Sequence, residues 1–125
     1  STNLTFSAVT GSIYVYDTVI TDTTYIRDRI TMMALNDLVF AGSTVFKSIR
    51  AVAPKLNISA DMKVTEGHMV FEATEYNVES GIWVQSEVQN IYVEPTIGGS
   101  GIMRSGTPVT WRSAHDLSFD VSMKV

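Results

Sequence analysis

Few side chains in this sequence are suited to catalysis or metal binding. There are two histidines, His68 and His115, and no cysteine among the 125 residues. A zinc site built on two histidines would need carboxylates to complete four ligands, and thiolate sites are excluded. Asp116 directly follows His115, whereas a catalytic carboxylate must reach the imidazole from elsewhere in the chain. We therefore expect both histidines to lie in exposed turns, and we predict no catalytic residue and no metal site.

The glycine-rich segment 95–108 shares glycine spacings with two nucleotide-binding motifs but matches neither. Gly101 and Gly106 have the spacing of a phosphate-binding loop, but Thr107 occupies the position that requires lysine. A dinucleotide-binding fingerprint needs a third glycine where Arg104 stands, and no βαβ unit follows. We therefore predict no cofactor for this chain and interpret 95–108 as a surface loop.

A protein interface is a more credible use of this loop. The apolar side chains of the loop, Ile97, Ile102 and Met103, would contact a neighbouring molecule. The guanidinium of Arg104 would supply paired, charged hydrogen-bond donors. Trp83 joins the set because it shares its strand face with Gln85 and Glu87, and a Trp beside polar groups anchors an interface or stacks on a sugar ring. The candidate interface residues are Trp83, Ile97, Ile102, Met103 and Arg104. The alternatives are a disordered loop or small-ligand capture for 95–108, and ordinary packing for Trp83.

The elements that would carry these groups show strict alternation of apolar and polar residues, above all at 56–65 and 117–125. Successive strand side chains point to opposite faces, so each segment predicts a half-buried strand. A two-residue loop at 66–67 would join 56–65 to 68–73 as an antiparallel hairpin, because every apolar residue then meets an apolar one. The predicted pairs are Thr65 with His68, Val64 with Met69, Met62 with Phe71, and Ala60 with Ala73.

The same register places Asp61 opposite Glu72 on the polar face. Like charges in directly opposed positions destabilise a sheet unless something compensates them. A shared cation or an acid–base pair would be the functional solutions, whereas Lys63, a diagonal neighbour, would relieve the repulsion without any ligand. We interpret the pair as part of an ordinary salt-linked surface.

One segment has helical spacing. Apolar residues recur at intervals of three, four and seven over about 24–40, and Gly42 is placed to end a helix. Seven or more short strands with this single α-helix predict a mainly β fold, an antiparallel β-sandwich or a small barrel. The length predicts one domain, 1–125, with the glycine-rich loop at 95–108.

Charge is sparse and its balance is acidic. Charged residues make up 18% of the chain, the formal net charge is −4, and no run of basic residues occurs. Neutralising phosphates needs clustered Lys and Arg, so we expect neither nucleic acid nor anionic lipid as a partner. No apolar run approaches the ~18 residues of a membrane span, so no membrane insertion is expected. A surface poor in charge is compatible with a subunit that is buried against copies or partners.

These observations favour a non-enzymatic structural subunit that acts through protein–protein contacts. We expect it to form a homo-oligomer or to join a larger protein assembly. Virion proteins, phage accessory or capsid-type proteins and filament surface proteins would suit such a domain, by analogy of fold alone. The alternative is a β-sandwich module that binds carbohydrate or another small ligand through Trp83 or the 95–108 loop.

Overall fold

In the part of the chain that the structure describes, three parallel β-sheets wind around one core as a β-solenoid of five complete turns and part of a sixth. The computed structural model describes residues 4–20, 30–96, 101–105 and 109–124. Each complete turn contributes one short strand to each sheet, and bends carry the chain from one sheet to the next. Strands one turn apart pair in parallel, which is why residues about 20 positions apart become neighbours.

The first sheet contains, in spatial order, β1 (Leu4–Ala8), β4 (Ile30–Ala34), β7 (Ile49–Val52), β10 (Met69–Glu72), β13 (Ile91–Glu94) and β16 (Leu117–Phe119). The second sheet contains β2 (Ile13–Val15), β5 (Asp37–Phe40), β8 (Lys55–Ile58), β11 (Glu75–Val78), β14 (Ile102–Ser105) and β17 (Ser122–Lys124). The third sheet contains β3 (Thr18–Ile20), β6 (Thr44–Phe46), β9 (Met62–Val64), β12 (Ile82–Ser86) and β15 (Val109–Ser113).

The core is built from the inward side chains of all three sheets, stacked in columns along the solenoid. In the first sheet, register places Met32, Ala51, Phe71 and Val93 above one another, and all four are buried. Polar residues alternate with them on the outer face, as in Arg50 and Glu72. The period-two pattern therefore buries one face of every strand, and burial of that apolar face drives folding.

Close stacking at the bends requires small residues. A Cβ atom on Gly42 would overlap the main chain of Asp17 in the turn beside it, and one on Gly67 would overlap the Cβ of Ser48. At the bend that contains Gly67, the main-chain N–H groups of Glu66 and Gly67 both donate to the Lys47 carbonyl oxygen, at 3.1 and 2.9 Å. Glycine at these positions is thus explained by close approach between successive turns rather than by an unusual backbone angle.

The predicted helix over 24–40 is wrong. Residues 30–40 form β4 and β5, joined by a bend, and 24–29 lie outside the described residues. The helical spacing of Ile30, Ala34 and Leu38 is also an alternating pattern once Met32 and Phe40 are counted, and all five are buried. No helix is found in the described part of the chain, and hence none that could cross a membrane.

The antiparallel sandwich or barrel is wrong too, together with its hairpin. β9 and β10 belong to different sheets, so Val64 does not pair with Met69. Met69 pairs in parallel with Ile49 and Ile91, one turn to either side. The alternation correctly separates inward from outward residues, but it does not identify the partner strand. Residues 65–68 turn the chain onto a new sheet instead of reversing it.

Candidate functional site

An aromatic and polar patch lies on the outer face of the third sheet. It surrounds a shallow pocket of about 240 Å³ that crosses β6, β9 and β12. We call this the third-sheet pocket, and its lining residues are Ser43, Thr44, Val45, Asp61, Met62, Lys63, Trp83 and Gln85. This patch brings an exposed tryptophan and several hydrogen-bonding side chains together on one concave surface.

Strand register explains how the pocket is assembled. In β12, Trp83 and Gln85 point outward while Ile82 and Val84 point into the core. Gln85 is paired with Lys63 of β9, and Asp61 precedes β9 beside Trp83. Residues about 22 positions apart in sequence thus become neighbours across one strand spacing of ~4.8 Å.

Hydrogen bonds and ion pairs orient the polar groups. Asp61 Oδ1 accepts a hydrogen bond from the main-chain N–H of Trp83 at 2.8 Å. Lys63 Nζ lies 3.2 Å from Glu87 Oε1, so this ammonium is paired with a residue at the margin of the patch rather than with Asp61. The Asp61 carboxylate is exposed and held beside the indole ring, where it can accept hydrogen bonds from a ligand.

Trp83 is 50% exposed, which is unusual for so large an apolar side chain. The guanidinium carbon of Arg112 lies 5.7 Å from the ring centroid, within cation–π range. Strand order puts Arg112, in β15, on the opposite side of β12 from the pocket. Arg112 therefore supports the ring from outside the pocket.

The size of the pocket limits what it can hold. Small-molecule sites usually measure ~300–1,000 Å³, so this pocket suits a single ring or similar small group, with the rest of a ligand on the surface. Its ring, carboxylate, amide and ammonium offer stacking and hydrogen bonding. Groups of three or more metal-ligating residues are absent from the described residues.

The two ends of the solenoid form a second candidate site. At one end Phe6 occupies an inward position in register with buried Met32, yet it is 43% exposed. At the other end Leu117 is in register with buried Ile91, yet it is 40% exposed. These side chains continue the columns of the core, but among the described residues no further turn covers them.

The residues predicted to form one interface lie on different surfaces. Trp83 is on the third sheet, whereas Ile102 and Arg104 point outward from the second sheet, where Arg104 Nη1 lies 2.7 Å from Glu75 Oε1. Met103, between them, is completely buried in the core. β14 thus runs through part of the segment interpreted as a loop, and Ile97 lies outside the described residues.

The predicted carboxylate pair does not form. Asp61 directly precedes β9 of the third sheet, whereas Glu72 lies in β10 of the first, so the two carboxylates are not opposed. Glu72 instead binds the Arg50 guanidinium, with its two oxygens 3.1 and 3.0 Å from Nη2. His68 Nδ1 accepts a hydrogen bond from the main-chain N–H of Asn90 at 3.2 Å, and His115 is exposed in a bend.

Comparison with protein-family models, curated proteins and solved structures finds no significant match. The functional argument therefore depends on this chain's own residues. Sequence reasoning did not connect Asp61 and Arg112 with Trp83. The signal that would have connected them is a repeat of about 20 residues, visible in the inward residues of successive turns such as Ile49, Met69 and Ile91.

Proposed function

We propose that this chain is a structural subunit that assembles end to end, through contacts between the two ends of the solenoid. The observation that supports this proposal is the exposure of apolar side chains at inward register positions in the two terminal strands of the first sheet, Phe6 in β1 and Leu117 in β16. Exposed apolar surface of this kind, next to open sheet edges, marks a site of association.

The geometry suits a head-to-tail contact. The terminal strands are β1, β2 and β3 at one end and β15, β16 and β17 at the other, and all the sheets are parallel. A second copy translated along the solenoid axis would therefore bring parallel edges together in all three sheets. Such an interface joins two different surfaces, so repetition produces a filament rather than a closed dimer.

Single charges at either end provide the test. Phe6→Lys and Leu117→Lys each place an ammonium at one open end, and inward-pointing charge opposes edge pairing. Light scattering of the unaltered chain should show a mass that rises with protein concentration. Each variant alone should remain a monomer at the same concentrations.

Mixing the two variants distinguishes a head-to-tail contact from other modes of association. Each variant retains one intact end, and the intact ends are complementary. An equimolar mixture should therefore form dimers and no longer species. Met33→Lys is the matched control, because Met33 is 41% exposed and lies on the first sheet like Phe6, but on its outer face.

Three outcomes would contradict the proposal. The first is a monomer at all concentrations for the unaltered chain. The second is assembly that survives both end variants, and the third is assembly that Met33→Lys abolishes equally. Circular dichroism on each variant would show that the fold is retained.

A further inference from the structure

We propose that the third-sheet pocket binds one ring of a neutral saccharide, with Trp83 as the stacking platform and Asp61 and Gln85 as hydrogen-bonding partners. The inference is independent of end-to-end assembly, because the pocket lies on the side of the solenoid and not at its ends.

The chemistry of the pocket matches the two kinds of surface that a sugar ring has. A pyranose presents C–H groups on its face and hydroxyls around its edge. The half-exposed indole offers an apolar platform, and the adjacent carboxylate accepts hydrogen bonds from hydroxyl groups. The Gln85 amide both donates and accepts, which a hydroxyl can also do.

Two local contacts prepare this arrangement before any ligand arrives. Arg112 supports the indole from the side away from the pocket, and the Trp83 main-chain N–H holds Asp61 Oδ1. Ordering both groups in advance reduces the entropy that a ligand must offset on binding. A weak affinity is still expected, since the pocket is shallow and takes only one ring.

Local charge favours a neutral sugar over an anionic one. Lys63 and Glu87 form an ion pair at 3.2 Å, so their charges compensate each other. Asp61 lies within the pocket, whereas Arg112 lies outside it and is engaged with the ring. An anionic sugar would meet the Asp61 carboxylate, so we expect it to bind less well.

The tryptophan content of the chain offers a direct readout. There are two tryptophans, and Trp111 is half-buried against Phe119 in an edge-to-face contact at 4.9 Å. In a Trp111→Phe background Trp83 is the one tryptophan left, so selectively excited tryptophan fluorescence reports it alone. Titration with maltohexaose, cellohexaose and a galactose hexamer, to ~10 mM, covers the weak range expected. Sialyllactose serves as the anionic probe.

We expect a saturable change in Trp83 fluorescence with at least one neutral oligosaccharide, little affected by salt. In the otherwise unaltered chain, saturation-transfer NMR should show this binding lost in Trp83→Ala and weakened ~10-fold in Asp61→Asn. Val88→Ala should bind normally, because Val88 is 46% exposed but lies in the bend after β12, outside the pocket. The monomeric Phe6→Lys variant should also bind normally, which separates this test from that of assembly.

Several results would overturn the inference. They are no response to any neutral probe, binding that persists in Trp83→Ala with circular dichroism unchanged, and a response to sialyllactose alone. Loss of binding in Val88→Ala would equally exclude the pocket as the specific site.

Discussion

Replacing Phe71 with alanine should be among the most destabilising substitutions in this chain. Phe71 is completely buried in the middle of the first sheet, where register places it between Ala51 and Val93. Its small neighbour Ala51 cannot fill the space that the ring would leave. Deleting a buried phenylalanine ring costs ~3–5 kcal/mol, which includes both lost burial and the cavity. That is a large part of the ~5–15 kcal/mol available to a typical domain.

Phe6 provides an internal comparison, because it occupies the same inward column at the open end of the sheet. It is 43% exposed, so only a little over half of its area is removed from water. Full burial of such a side chain contributes ~1.5–3 kcal/mol, and an open site leaves no closed cavity. We therefore expect Phe6→Ala to cost about 1 kcal/mol in the monomer, roughly half the value for full burial.

Urea unfolding followed by circular dichroism, at a concentration where the chain is monomeric, measures both costs. With a slope of ~1–3 kcal/mol per molar urea, Phe71→Ala should lower the midpoint by ~2 M and Phe6→Ala by much less. Equal costs for the two substitutions would refute the assignment of Phe6 to an open end. A cost below ~1 kcal/mol for Phe71→Ala would refute its place in the core.

Three further experiments test other parts of the fold by the same unfolding measurement. Burial raises the pKa of Tyr76, and its hydroxyl is protonated at neutral pH with or without that shift. The hydroxyl donates to the Glu94 main-chain carbonyl in β13 at 2.6 Å, so Tyr76→Phe should cost ~1 kcal/mol, and no loss would mean that the bond is not made. Gly42→Ala should cost ~1–3 kcal/mol, because the new methyl group meets backbone that cannot move aside, and a neutral result would contradict the close stacking of turns. A double-mutant cycle with Arg50→Ala and Glu72→Gln should give a coupling of ~1 kcal/mol that weakens in high salt, whereas independent effects would show that the half-buried pair is not formed in solution.

The alternating pattern was sufficient to predict β-structure and the inward face of many strands. Leu56 and Ile58 face inward with Asn57 between them, and Met69 and Phe71 face inward with Val70 between them. The helix prediction over 24–40 failed because four-residue spacing is a multiple of the strand period. Residues at 30, 34 and 38 satisfy both patterns, so only the intervening inward residues separate a helix from two strands joined by a bend.

The candidate sites depended more strongly on the third dimension. Alternation within one strand is enough to predict that Trp83 shares a face with Gln85. In the structure both side chains line the pocket. Asp61 lies beside these two residues only because β9 pairs in parallel with β12, and no local sequence pattern specifies that pairing. The predicted opposition of Asp61 and Glu72 failed for the same reason.

The sequence by itself therefore determined the inward and outward faces of strands such as β8 and β10, because one strand with one buried face imposes that alternation on its own residues. It did not determine the burial of Met103, which lies in the segment interpreted as a loop. The small number of charged side chains and the absence of cysteine are likewise properties of the sequence alone. Only the tertiary structure decided which strands pair, because that depends on whether each bend reverses the chain or turns it onto the next sheet. At 65–68 the chain turns, so Met69 begins a strand of the first sheet and pairs with Ile49, one full turn away, while the His68 carbonyl oxygen accepts a hydrogen bond from the Ile49 N–H. The pocket at Trp83 is a consequence of this winding, because parallel pairing of β9 with β12 brings Asp61 beside Trp83.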